Sequence, residues 1–189
     1  RRNRRSPYLT IMKVIVVISG FTQKNHQNTG SKQLWRELRL LDDLCEGEDS
    51  LIQLKEWDSD WKAYAKYINS LEPTEVLICC YSWGGGYGMP QLSKRLECDV
   101  SVVACDPVYH SPTILGRWWA LFDRKIKLDK NVKVVGWLSQ RGDYLDGDKL
   151  VGGKSICRER TFNYDHTSID NSPEYHQIAV LAAKTYLQT

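Results

Sequence analysis

Ser82 stands in the stretch Cys79-Cys80-Tyr81-Ser82-Trp83-Gly84-Gly85-Gly86-Tyr87-Gly88, at the end of an apolar run and two residues before three consecutive glycines. The pattern Cys80-x-Ser82-x-Gly84 is close to G-x-S-x-G, a strand-to-helix turn tight enough to hold its serine at strained backbone angles. Such a turn lifts the hydroxyl above a sheet edge and aims it at the unpaired N–H groups that open the next helix. Small residues two positions to either side are a steric demand of the turn. Gly84 fills one place, and Cys80, still small, fills the other. Glycine costs about 1 kcal/mol per helical position relative to alanine, so Gly84, Gly85, Gly86 and Gly88 at one helix start point to close approach of backbones. A dinucleotide fingerprint needs G-x-G-x-x-G, and Gly84, Gly86 and Gly88 have the wrong spacing. A phosphate loop is excluded because no G-K-[ST] follows. The remaining alternative is a close-packed turn around an idle serine.

A serine is a weak nucleophile without a base, and the base needs an orienting carboxylate. Four histidines are present. His26 and His110 follow strands, and His176 lies in the last helix, where it reads as a surface or packing residue. His166, in Tyr164-Asp165-His166-Thr167, occupies a polar loop just before that helix and is the candidate base. Two aspartates compete for the acid. Asp106 ends an apolar strand, so its carboxylate needs a partner, and the following Pro107 favours extended geometry there. Asp143 follows the next strand and is the alternative acid; Asp146 and Asp148 nearby read as ordinary turn chemistry. Oxyanion donors are expected from the N–H of Trp83, next to the nucleophile, and of Phe21, in the loop after the first strand.

The elements that must position these residues are legible as hydrophobic patterns. Met12–Gly20, Thr74–Tyr81, Asp99–Tyr109 and Asn131–Gln140 are β-branched, near-continuous runs that suit strands buried on both faces. Ser50–Trp57 is a weaker strand. Ser31–Leu44 places Leu34, Leu38 and Leu41 on one helical face. Asp58–Leu71 places Trp61, Ala65 and Ile68 on another, with Asp58 or Ser59 as its cap. Gly85–Leu96 turns helical despite its glycines, and Ser172–Leu187 closes the chain as a helix with Pro173 in its first turn. Alternating strands and helices imply an α/β protein, with a mostly parallel sheet and helices on both faces. Tyr109–Lys130 and Arg141–Asp165 read as irregular.

These segments together resemble the α/β-hydrolase superfamily, in particular its small lipase- or thioesterase-like members. The resemblance rests on the Gly20-Phe21 loop, the Ser82 turn, Asp106 in "ACDPVY" and His166 in "DHTSID", and it covers Met12 to Thr189. The chain order serine, acid, histidine is that superfamily's order. The resemblance implies a three-layer α/β-hydrolase fold and ester or thioester hydrolysis through Ser82, His166 and Asp106, with neither metal nor cofactor. Cys80 in place of a glycine and the lack of a histidine before Gly20 are departures from the pattern. The superfamily inserts its lid between the strands that here end at Asp106 and before Asp143. That segment carries Trp118, Trp119 and Phe122, flanked by Arg117, Arg124 and Lys125, and offers a candidate substrate rim. A docking patch or a helix packed on the sheet are the other readings of it.

The chain's 189 residues suffice for one domain with a sizeable core. The expected division is a basic tip, 1–11, unstructured or foreign to the domain, followed by a single domain over 12–189. The formal charge of +3 comes from the tip: without the four arginines of Arg1-Arg2-Asn3-Arg4-Arg5, acidic residues outnumber basic ones by one. A near-neutral body argues against nucleic-acid binding. The first apolar run is too short and too polar at its flanks to span a membrane, and it lacks a signal-cleavage site. The six cysteines form no C-x-x-C pair, and the chain is too large to need a disulfide framework. A reducing, cytoplasmic setting is expected. The sequence therefore predicts a serine esterase acting on a small-molecule ester or thioester, with an acyltransferase and a non-catalytic binding protein of the same fold as alternatives.

Overall fold

In the computed structural model, residues 12–21, 23–44, 50–110, 125–142 and 147–188 are described. Strands β1 (Lys13–Ile18), β2 (Ser50–Lys55), β3 (Glu75–Tyr81), β4 (Asp99–Cys105), β6 (Val132–Gln140), β8 (Ser155–Ile156) and β9 (Arg160–Phe162) form one sheet. Its order is β2-β1-β3-β4-β6-β8, with β9 also on β6, and every pairing is parallel. Strands β5 (Lys125–Leu128) and β7 (Lys149–Gly152) make a second, two-stranded parallel sheet.

The continuous apolar runs are explained by two cores. Val14, Val16 and Ile18 of β1 and Val76, Ile78 and Cys80 of β3 face α2 (Trp61–Asn69) and α3 (Met89–Ser93). Their neighbours Ile15, Val17, Leu77 and Cys79 face α1 (Gly30–Leu44) and α4 (Pro173–Leu187). A strand that feeds both faces cannot alternate apolar with polar residues, and the result is a three-layer α/β arrangement. Leu34 and Leu38 of α1 and Ile68 of α2 are fully buried, each worth roughly 1.5–3 kcal/mol in surface removed from water. The buried thiols of Cys79, Cys80 and Cys105 belong to the same cores and are not in disulfides. Burial pushes the Cys79 thiol up to about 12 and raises those of Cys80 and Cys105 too, so they stay neutral.

Two expectations are corrected here. The cap of α2 is Asp60, whose carboxylate accepts from Lys62 N at 3.1 Å and Ala63 N at 3.0 Å, and not Asp58 or Ser59. The stretches read as irregular contain β5, β7, β8 and β9. These strands have only two to four residues, and of them β5 alone alternates cleanly, with Ile126 and Leu128 buried and Lys125 and Lys127 exposed.

Because the main strands run parallel, their C-terminal ends share one edge. The chain leaves β1 for α1 on one face of the sheet and leaves β3 for α3 on the other. The adjacent ends of β1 and β3 therefore open a crevice at a switch point, where ligands bind in open α/β sheets. Among the described residues no helix is long and apolar enough to cross a membrane.

Candidate active site

Ser82 occupies the first position after β3, at the mouth of that crevice. Its φ is +52°, in the left-handed region, which costs a residue with a Cβ about 1–3 kcal/mol. The surroundings hold it there. Ser82 N donates to Cys105 O at 3.2 Å, and its own carbonyl accepts from Gly85 N, Gly86 N and Val108 N, each at 3.0 Å. The glycines follow from close approach. A Cβ on Gly84 would lie 2.6 Å from the carbonyl oxygens of Ile18 and Ser19, and one on Gly86 only 1.5 Å from Val108 O. Gly84–Gly88 accordingly forms a π-helical turn leading into α3. The Cys80 Sγ lies 3.7 Å from Val103 O and 3.4 Å from where a Cβ on Gly85 would stand.

The Ser82 Oγ lies 2.9 Å from His166 Nε2, and His166 Nδ1 lies 2.5 Å from Asp106 Oδ2. All three residues are nearly or fully buried: Ser82 is 5% exposed, His166 8% and Asp106 0%. The other Asp106 oxygen accepts from Gly147 N at 3.0 Å and Gln140 N at 3.3 Å, which satisfies a carboxylate that would be costly to bury alone. Gly147 is required for this: a Cβ there would meet Asp106 Oδ1 at 2.5 Å. With the Asp106 carboxylate as acceptor, His166 carries its proton on Nδ1 and turns an Nε2 lone pair toward the serine.

Asp106 does not take the extended geometry expected before Pro107. Its φ is +42°. Proline pushes its predecessor toward extended backbone, and the contacts around Asp106 override that preference here. The bond from Asp106 N to Leu138 O, 2.7 Å, turns the chain so that the carboxylate faces His166. Asp148, read as ordinary turn chemistry, is 3% exposed. It ties its loop to the end of β4 through Asp148 N to Pro107 O, 2.6 Å, and Tyr109 N to its own carboxylate, 2.5 Å. His176 is a packing residue, with its ring nitrogens 2.8 Å from Glu37 Oε2 and 3.0 Å from Asp170 O. Asp143 and the rim residues Trp118, Trp119 and Phe122 lie outside the described residues, as does the basic tip.

The two expected oxyanion segments converge on Ser82. A Cβ on Gly20 would lie 3.1 Å from Ser82 Cβ, and the rings of Phe21 and Trp83 stand 4.2 Å apart. Two features escaped sequence reading. Tyr81 stacks on the His166 ring at 5.3 Å, and its hydroxyl donates to His166 O at 2.5 Å, so the residue before Ser82 also fixes His166. Beside Ser82, Trp57 and His110 join Phe21, Trp83 and Tyr87 in an aromatic wall. Ring centroids are 4.9 Å apart for Trp57–Trp83, 4.1 Å for Trp83–His110 and 5.2 Å for Tyr87–His110. The available signal was topological: Trp57 closely follows β2, and loops at the C-terminal ends of parallel strands converge. Among the described residues no cluster of three or more His, Cys, Asp or Glu side chains could hold a metal ion.

No protein-family model, no curated protein and no solved structure matches this chain.

Proposed function

We propose that the protein is a serine hydrolase of the α/β-hydrolase type that cleaves carboxylic esters or thioesters through an acyl-enzyme. One observation carries the reading: Ser82 Oγ, His166 and Asp106 form an unbroken hydrogen-bonded chain at the switch-point crevice, in the order nucleophile, base, orienting acid. That arrangement favours catalysis over a binding protein of the same fold, for which a strained serine against a buried histidine has no use.

In this reading His166 Nε2 takes the Ser82 proton as Oγ attacks the carbonyl carbon. Asp106 holds the tautomer and stabilises the imidazolium that forms. The N–H groups of Phe21 and Trp83 receive the oxyanion. His166 then gives its proton to the departing alkoxide or thiolate, leaving an acyl-Ser82 ester. A water that loses its proton to His166 hydrolyses this ester, and the proton returns to Ser82 as it leaves. The aromatic wall suits an apolar acyl or leaving group, whose burial there removes apolar surface from water.

The test is hydrolysis of p-nitrophenyl esters by the purified protein and by Ser82→Ala. The variant is expected to fold and to lose several powers of ten in rate. Equal turnover by both proteins would remove Ser82 from the mechanism. Sustained transfer to an added alcohol in preference to water would identify an acyltransferase instead.

A further inference from the structure

The turn after β1 is not held by its backbone alone. Gln23, 6% exposed, accepts from Gly20 N through Oε1 at 3.2 Å, while its own N–H donates to Gly20 O at 3.3 Å. Its Nε2 donates to Asp170 Oδ2. Asp170, 1% exposed, lies in the 3-10 turn Ile169–Asn171, four residues beyond His166. That turn is tied back to the histidine loop by Ser168 N and Ile169 N, which donate to Asp165 O at 3.0 and 3.1 Å. One buried side-chain pair therefore joins the loop that carries Phe21 to the loop that carries His166.

The residue types fit this role. A glutamine amide offers an acceptor and donors at one end of one neutral side chain. It can take the Gly20 N–H and give an N–H to a carboxylate together. A glutamate would set two carboxylates face to face, and an apolar residue would take from the buried Asp170 carboxylate one of its donors, leaving it the backbone N–H groups of Gly30 and Ser31. Burial raises the Asp170 carboxyl group's affinity for a proton, and the Gln23 bond opposes that.

Building on the serine-hydrolase reading, we infer that Gln23 and Asp170 are positioning residues that lock the Gly20–Gln23 turn to the histidine loop, keeping the Phe21 N–H aimed at the oxyanion formed on Ser82. A contact that matters only when the oxyanion forms should act on kcat and spare KM.

The experiment is steady-state hydrolysis of a p-nitrophenyl ester, with active sites titrated by a fluorophosphonate and thermal melting recorded in parallel. Gln23→Ala is expected to lower kcat per titrated site about 10- to 100-fold, less than the roughly 10²–10³ lost when an oxyanion donor is removed outright, with KM changed by less than about threefold. Gln23→Met keeps the side-chain length and loses both bonds, so it should behave alike and serves if the alanine variant does not fold. Asp170→Asn, which retains an oxygen acceptor, should recover most of the kcat lost in Asp170→Ala. The double variant Gln23→Ala/Asp170→Ala should be no slower than the slower single variant, because the two residues act as one unit. Gln23 variants with wild-type kcat per titrated site, or Asp170→Asn as slow as Asp170→Ala, would overturn the positioning role while leaving the hydrolase reading intact. A wild-type protein that neither turns over esters nor takes up the probe would overturn the hydrolase reading itself.

Discussion

Ser82 and Asp106 share an unusual property: with Glu72, they are the three described residues other than glycine that adopt positive φ. Strain at both ends of one hydrogen-bonded chain is a feature of sites whose surroundings over-determine the backbone. In Asp106→Asn the amide's NH2 group or oxygen faces His166 and no longer fixes the tautomer that leaves Nε2 free to accept. A loss in kcat of about 10⁴ is expected, measured on the same esters; a loss under tenfold would take the acid role from Asp106. The aromatic wall yields a separate prediction. Trp57 contacts Trp83, Phe21, Tyr87 and His110, so Trp57→Ala should weaken kcat/KM more for longer acyl chains than for acetate. The ceiling is about 0.8 kcal/mol per methylene that no longer finds the wall. A uniform loss along an acetate-to-octanoate series would assign Trp57 to packing rather than to substrate.

At the scale of the element, the Ser82 turn is set by what it packs against. Gly86 lies against the backbone after β4, where a Cβ would meet Val108 O at 1.5 Å, and a backbone carbonyl cannot rotate aside as a flexible side chain can. Gly86→Ala is therefore expected to cost about 3 kcal/mol or more, the upper end for overpacking, as read by denaturant unfolding. A loss below about 1 kcal/mol would show that the two segments separate easily. The same element shows what was legible from sequence. The longer strands show as apolar runs and the helices between them as a helical period, and Leu34, Leu38, Trp61, Ala65 and Ile68 are buried as their spacing indicates. The short strands β7, β8 and β9 carry no such pattern, and the alternation of β5 spans only four residues. Residue types and chain order pointed to Ser82 and His166 with either Asp106, the favoured acid, or Asp143; Ser82, His166 and Asp106 lie within hydrogen-bond reach along one chain, and Asp143 lies outside the described residues. The Gln23–Asp170 pair was not legible, because its partners are separated by 147 positions and no residue type near Asp170, the last residue of "DHTSID", marks it as a partner of Gln23.

At the scale of the whole molecule, two cores on either side of one parallel sheet trap several ionisable groups in neutral form. Cys79, Cys80 and Cys105 are held protonated by burial, whereas thiols in the unfolded chain ionise at about 8.5. Below that pH both states keep these protons and the thiols add no pH dependence. Above it the unfolded chain releases protons that the folded chain retains, so stability falls by about 1.4 kcal/mol per pH unit for each such thiol, up to about pH 12 for Cys79. Melting temperatures of the reduced protein should drop from pH 8 to pH 10, and a flat profile would contradict the burial of these thiols. The cores also hold the strand ends that bring the loops of Ser82, Asp106 and His166 to one crevice, which in the proposed mechanism activates Ser82. The most direct test of that activation is intact-protein and peptide mass spectrometry after treatment of the folded protein with a fluorophosphonate. One probe per chain is expected, bonded to Ser82, with the rate of labelling collapsing in His166→Ala. A folded wild-type protein that stays unlabelled, or that carries the probe on another residue, would contradict the proposed activation.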